Sequence, residues 1–162
     1  MKIKNKKHVY SIFVALISVI LLVIINYSLR KNIYDSVNCS ALVTYYLHDD
    51  TIYSGSIKFS MRNNKGSLAY SGSITDTAND KTNQNLLRII YFNIVKENDF
   101  DYYKIYNFDI KKNINDSISD IDFSKKVFDL SSGPRKIKIQ KEQNGLYSIG
   151  NVFSPVFMCV VE

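Results

Sequence analysis

The sequence predicts a membrane-spanning helix followed by a mainly β domain, an antiparallel sandwich or small barrel of seven or eight strands with one short helix. Two observations carry this. Residues 9–29, "VYSIFVALISVILLVIINYSL", form an apolar run of 21 residues without a charge, about 31 Å long as a helix and so matched to a bilayer core. Beyond it the dominant period is two, the signature of half-buried strands.

The apolar run reads as an anchor. A cleaved secretory signal is the competing reading, but the run is long for a signal's apolar region, and no small-x-small cleavage site stands before "RKNIYD". Lys2, Lys4, Lys6 and Lys7 precede the run, while Arg30 and Lys31 follow it. The excess of cations on the N-terminal side favours a cytoplasmic N-terminus. The expected organisation is a cytoplasmic basic tail over 1–8, a single span over 9–29, a linker over 30–36, and a β domain over 37–162 in the periplasm of an inner-membrane protein.

The net charge of +6 first points to a nucleic-acid partner. Residues 1–31 hold six of the 21 Lys and Arg and none of the 15 Asp and Glu, so the remainder is neutral. The basic character belongs to membrane topology, and no direct nucleic-acid contact is expected.

The strands follow in order. "CSALVTYYL" is the first. In "TIYSGSIKFSMRN" Tyr53, Gly55, Ile57, Phe59 and Met61 face one way; "NNKG" supplies turn residues, and "SLAYSGSIT" resumes with Leu68, Tyr70, Gly72 and Ile74 on the same side. "NLLRIIYFNIV" is apolar on both faces, as in a central strand covered on two sides. "DYYKIYNFDIK" pairs with it. Asn144-Gly145 marks a last hairpin, and "VFMCVV" ends the domain. Between them "SDIDFSKKVFDLSSGP" reads as a short amphipathic helix starting near Ser119 or Asp120, with Ile121, Phe123, Val127, Phe128 and Leu130 on its apolar face. "DTANDKTNQN" is a polar loop.

Catalytic signatures are missing. His48 in "YLHDD" is the one imidazole beyond the apolar run, and with Asp49 and Asp50 it reads as a solvated turn; the spaced ligands of a zinc site are lacking. No G-x-S-x-G, phosphate loop, dinucleotide fingerprint or HExxH occurs. Gly55 and Gly72, each within an "SGS", are simplest as points where a strand bends or passes close to another backbone. Asp120 and Asp122 have no base partner. We expect a non-enzyme with no cofactor and no metal.

Eighteen of the 21 aromatics lie beyond residue 31. Tyr45, Tyr53, Phe59, Tyr70, Phe92, Tyr106 and Phe108 read either as core or as the wall of a cavity for an amphipathic ligand. Two cysteines in an oxidising compartment suggest one disulfide, Cys39 to Cys159, with free buried thiols or an intermolecular bridge as alternatives. Closing that loop would contribute about 4 kcal/mol in the chain-entropy account. The two Cα atoms would have to lie within about 7 Å, making the first and last strands neighbours, as in an up-and-down or calycin-like barrel.

The basic N-terminus, the single apolar run, "NCSALVTYY", the hairpin "YSGSIKFSM…GSLAYSGSI", "LLRIIYFNI" and the closing "SPVFMCVVE" together resemble the FidL-like membrane proteins of enteric bacteria. The resemblance implies a small partner of a membrane-bound transcription activator that carries a cytoplasmic winged-helix domain, similar in arrangement to ToxS and VtrC. It implies a lipocalin-like barrel that contacts the regulator's periplasmic domain and shares with it a cavity for a bile-salt-like molecule. A barrel left incomplete along one edge would be completed by partner strands, and the expected edge lies near Arg88 and Ile90 or near Phe157 in the terminal strand. A stand-alone anchored module for a lipid or other amphipathic ligand is the alternative.

Overall fold

The computed structural model describes residues 4–34, 36–47, 50–77, 83–97, 101–129, 131 and 133–161, with side chains of the first helix described over 10–26. The chain divides into two compact units, Met1–Ser36 and Val37–Glu162.

The first unit is one helix, α1 (Lys4–Tyr34). Its described side chains, 10–26, carry no charge and are exposed all round. Among the described residues no helix is long and apolar enough to cross a membrane. The span expected over 9–29 is to that extent not carried by the described residues.

The second unit holds eight strands: β1 (Val37–Tyr46), β2 (Thr51–Arg62), β3 (Lys65–Asp76), β4 (Asn83–Lys96), β5 (Tyr102–Lys112), β6 (Arg135–Gln143), β7 (Leu146–Gly150) and β8 (Pro155–Val161), with α2 (Asp120–Lys126) between β5 and β6. Each pairs antiparallel with the next, and β8 returns to β1, so the sheet closes as an up-and-down barrel. The choice between sandwich and barrel is thereby decided. Closure satisfies edges that an open sheet would leave unpaired.

The predicted turns are where the sequence put them. Asn63 and Asn64 both adopt positive φ, 50° and 62°, the requirement of a tight primed turn, and Arg62 pairs with Lys65 across it. Gly145 has φ +80° between β6 and β7. Tyr53, Ile57, Phe59 and Met61 of β2, and Tyr70 and Ile74 of β3, are buried inside the barrel. Gly55 and Gly72 face each other in register between them. A Cβ on Gly55 would lie 2.4 Å from the Ser71 carbonyl oxygen and 2.6 Å from the Gly72 Cα. The two glycines let the backbones approach and leave room for the Tyr53 hydroxyl, which a Gly55 Cβ would meet at 2.9 Å.

β4 is a half-buried strand rather than one covered on both faces. Leu86, Arg88, Ile90, Phe92 and Ile94 point inward, whereas Ile89, Tyr91 and Val95 are exposed. Its outer apolar residues lie on the barrel wall, where no second layer packs among the described residues. On β5 a bulge sets Asn107 and Phe108 opposite Phe92 alone, with Asn107 at φ 56°. The extra residue reverses the strand's faces: Tyr103 and Ile105 point inward before it, Phe108 and Ile110 after it.

Ser119 caps α2, its Oγ accepting from the Asp122 amide at 3.0 Å. Asp120 and Asp122 in the first turn and Lys125 and Lys126 in the last complement the helix dipole. The helix stops at Lys126, earlier than the sequence pattern implied. Phe123 is buried, Val127 and Phe128 pack on the core, and Ile121 is exposed. Leu130 lies outside the described residues, as do His48 and Asp49.

Candidate binding site

Two lines of rings run through the barrel. In one, Tyr45 stacks on Tyr53 with centroids 6.3 Å apart, Tyr53 meets Tyr70 edge-on at 6.0 Å, and Tyr70 meets Phe123 of α2 at 6.2 Å. In the other, Phe59, Phe92, Phe108 and Phe128 follow one another at 6.2, 6.4 and 5.4 Å. Each line ends under a guanidinium: Arg88 lies 4.5 Å from the Phe123 centroid and Arg135 4.5 Å from that of Phe128. Burial raises the Tyr53 hydroxyl pKa to about 12, and the Tyr70 hydroxyl is raised further. The Tyr53 hydroxyl donates to the Ser56 carbonyl at 2.9 Å.

Arg88 holds residues 113–120 across the barrel end. Its Nε donates to Asp116 Oδ2 at 2.9 Å, its Nη1 to Asp120 Oδ1 at 2.8 Å, and its Nη2 to the Ile118 carbonyl. Asp116 also accepts from the backbone amides of Leu87 and Ile118 at 2.9 and 3.0 Å. Lys112 Nζ donates to the Ile118 carbonyl at 2.7 Å. Every oxygen of the buried Asp116 carboxylate thus has donors, which is what allows a charge to sit there.

A cavity of about 300 Å³ remains beside Phe128, lined by Tyr70, Phe92, Ile105, Ile137, Ile149 and Phe157, with Arg135, Lys136 and Asn151 at its wall. Its volume is at the small end for ligand pockets.

The closing seam is the barrel's other distinctive place. Among the described residues β1 and β8 are paired at Cys39 with Val161 and Ser40 with Val160. Beside those pairs the Cys39–Cys159 disulfide joins the strands from inside, with Cα atoms 5.3 Å apart and neither cysteine exposed. Farther along, Tyr45 reaches from within and donates to the Val156 carbonyl at 3.0 Å. Between these two ties the ladder is interrupted. Outside it Leu42 is 89% exposed, and Val156, Met158 and Val160 are 51, 53 and 60% exposed.

Of the residues expected to line a cavity or core, Tyr45, Tyr53, Phe59, Tyr70 and Phe92 come together inside, and Phe108 joins them half-buried. Tyr106 does not: it precedes the bulge, pairs with Asn93 and borders a groove outside, with Lys104 and Pro134. Arg88, Ile90 and Phe157, expected at a partner edge, are all interior. β4 is paired on both sides, and Phe157 shares its inward face with Cys159. Sequence reasoning missed Asp116 and Arg135 as site residues; Phe123 and Phe128 were legible only as a helix face. Among the described residues no three His, Cys, Asp or Glu gather as metal ligands would.

Residues 72–159, more than half of the chain, match the sequence model of the family described as FidL-like putative membrane protein. The match runs from β3 to Cys159 and takes in Arg88, the 113–134 segment and the cavity wall apart from Phe59, Leu68 and Tyr70. No curated protein matches the chain.

Proposed function

The chain belongs to the FidL-like family, and from that premise we propose that it is a non-enzymatic co-component of a membrane-bound winged-helix transcription activator. Residues 9–29 anchor it in the inner membrane with the N-terminus in the cytoplasm. The barrel lies in the periplasm, contacts the regulator's periplasmic domain, and biases DNA binding across the membrane by favouring one state of that partner. The observation that carries this reading is the β1–β8 seam. An interrupted ladder with exposed Leu42, Val156, Met158 and Val160 beside it offers backbone groups and apolar surface to an added strand. The partner edge is thus assigned to the seam, in place of Arg88, Ile90 and Phe157.

Co-purification from membranes tests it. The full chain should bring down the neighbouring regulator, and Leu42→Asp with Met158→Asp, both outward, should abolish capture while leaving the disulfide formed. Undiminished capture by that variant removes the seam assignment; absence of capture by the native chain removes the partner. A second reading, a stand-alone module for an amphipathic ligand, is favoured by the cavity beside Phe128.

A further inference from the structure

The barrel has a second incomplete junction. β5 pairs with β6 only over residues 102–105, so the far half of β5 has no strand on that side. The described residues of 113–134, namely 113–129, 131, 133 and 134, form a strap beside this region, and its two parts are held differently. The first part is fixed by the Arg88 cluster and by backbone hydrogen bonds of Asn113 to Leu87 and Ser117 to Asn85, each 3.0 Å. In the second part Phe128 rests edge-on against Phe108 under the Arg135 guanidinium, and Arg135 stands 3.6 Å from Asp129, beyond good hydrogen-bond length.

Behind Phe128 lies the 300 Å³ cavity. Its body is aromatic and aliphatic, while among the described residues its charged lining is of one sign: Arg135 and Lys136 contribute, and no acidic residue does. Lys136 is engaged on the outside by Glu97 at 2.7 Å. Arg135 is the cation that also contacts the inner ring line, through Phe128. A guanidinium at the edge of an apolar chamber matches a carboxylate with its planar fork, while the chamber takes an apolar body.

We infer that this cavity is a binding site for a small apolar carboxylate, its body lying against Phe92 and Ile105 and its carboxylate taken by Arg135 in exchange for the looser Asp129 contact. The inference deepens the ligand-binding reading and rests on it, and it is independent of any partner at the seam. A volume near 300 Å³ restricts the ligand to one ring or a short chain.

4-Phenylbutyrate and its neutral amide are suitable probes, read by isoleucine methyl NMR on the full chain in phospholipid nanodiscs. The acid should move the methyls of Ile105, Ile137 and Ile149, leave Ile57 in place, and bind about ten-fold more tightly than the amide. Arg135→Gln should remove that preference while amide binding persists, which shows that the pocket is intact; Lys136→Gln should retain it. If both probes bind equally to the native chain, the anionic class is wrong and the ligand reading stands. If neither moves those methyls at millimolar concentration, both fall. Loss of the preference in Lys136→Gln but not in Arg135→Gln overturns the assignment to Arg135.

Discussion

Replacing Arg88 by Met removes the donors that hold a buried carboxylate and should be the most damaging single polar change in the barrel. The side chains of Arg88 and Asp116 are 1% and 0% exposed. Methionine keeps the stem's volume but leaves Asp116 with the Leu87 and Ile118 amides and, at 3.8 Å, the half-exposed Lys112 ammonium. Stranding one member of a buried ion pair costs about 3–5 kcal/mol, against a total stability of roughly 5–15 kcal/mol for a domain. The Asp120 arm sets the contrast. That carboxylate is 84% exposed, so its pair with Arg88 contributes no more than about 1 kcal/mol, and Asp120→Asn should be nearly silent. The assay is urea unfolding of the full chain in non-ionic micelles, followed by near-ultraviolet circular dichroism of the packed tyrosines, since the chain has no tryptophan. Hydrogen exchange should localise the first loss of protection to residues 113–123. With Asp116→Asn added to Arg88→Met the stranded charge disappears, and the double variant should cost about 2 kcal/mol less than the sum of the singles. A cost for Arg88→Met below about 1 kcal/mol, or strict additivity, would refute the clamp.

Other consequences follow from the same contacts. Changing both Cys39 and Cys159 to Ser should lower stability by about 4 kcal/mol, because the bridge closes a 120-residue separation; an unchanged urea midpoint would deny the staple its role, and non-reduced peptide mass spectrometry checks the bond itself. Gly55→Ala should cost about 2–3 kcal/mol, since its Cβ would meet backbone atoms that cannot turn aside; a midpoint equal to the native one would show that the hairpin can spread. Burial raises the Tyr53 hydroxyl from 10.0 to about 12, so the unfolded chain releases that proton first. Its contribution is full below pH 10 and lost as pH rises from 10 to about 12, at about 1.4 kcal/mol per unit. Alkaline unfolding should therefore begin above pH 10, and Tyr53→Phe should flatten the slope; tyrosinate absorbance appearing at pH 10 from every tyrosine of the folded chain would contradict it.

The strands were legible because a barrel wall imposes period two, and β2 and β3 show it without interruption: Tyr53, Ile57 and Phe59 inside, Ser54, Lys58 and Ser60 outside. What broke the pattern was local. The alternation read through "YYKIYNFDIK" puts Tyr106 and Phe108 on one face, but the bulge at Asn107 inserts a residue and turns Tyr106 outward. Only the αL-tolerant Asn in mid-strand hints at it. "LLRIIYF" read as doubly covered because Ile89 and Tyr91 are apolar, a composition that does not tell an outer wall residue from a buried one. The Arg88 site was illegible for a further reason. Its partners, Asp116, Ile118 and Asp120, lie about thirty residues away in a polar stretch, and nothing local in "NINDSISD" says that a carboxylate there enters a barrel.

An eight-stranded meander could close by extending its ladders equally, yet this one spends hydrogen bonds unevenly. β2, β3 and β4 pair over nearly their whole lengths, while β5–β6 and β1–β8 share four and two register pairs among the described residues. Each short junction is reinforced by side chains, and the two reinforcements differ in kind. At β1–β8 the tie is covalent, which fixes the spacing of the strands and keeps the exposed edge in one geometry. At β5–β6 the tie is a strap whose outer part includes ring contacts and a 3.6 Å ion pair, interactions of about a kilocalorie each. A rigid junction suits a surface that must be matched by another chain, because ordering costs are met before association. A weakly held one suits a cavity that must open, because the free energy of opening is subtracted from ligand affinity. On the two binding proposals above, the partner would meet the barrel at the β1–β8 junction and the ligand beside the strap, with β8 common to both through Val156 and Phe157.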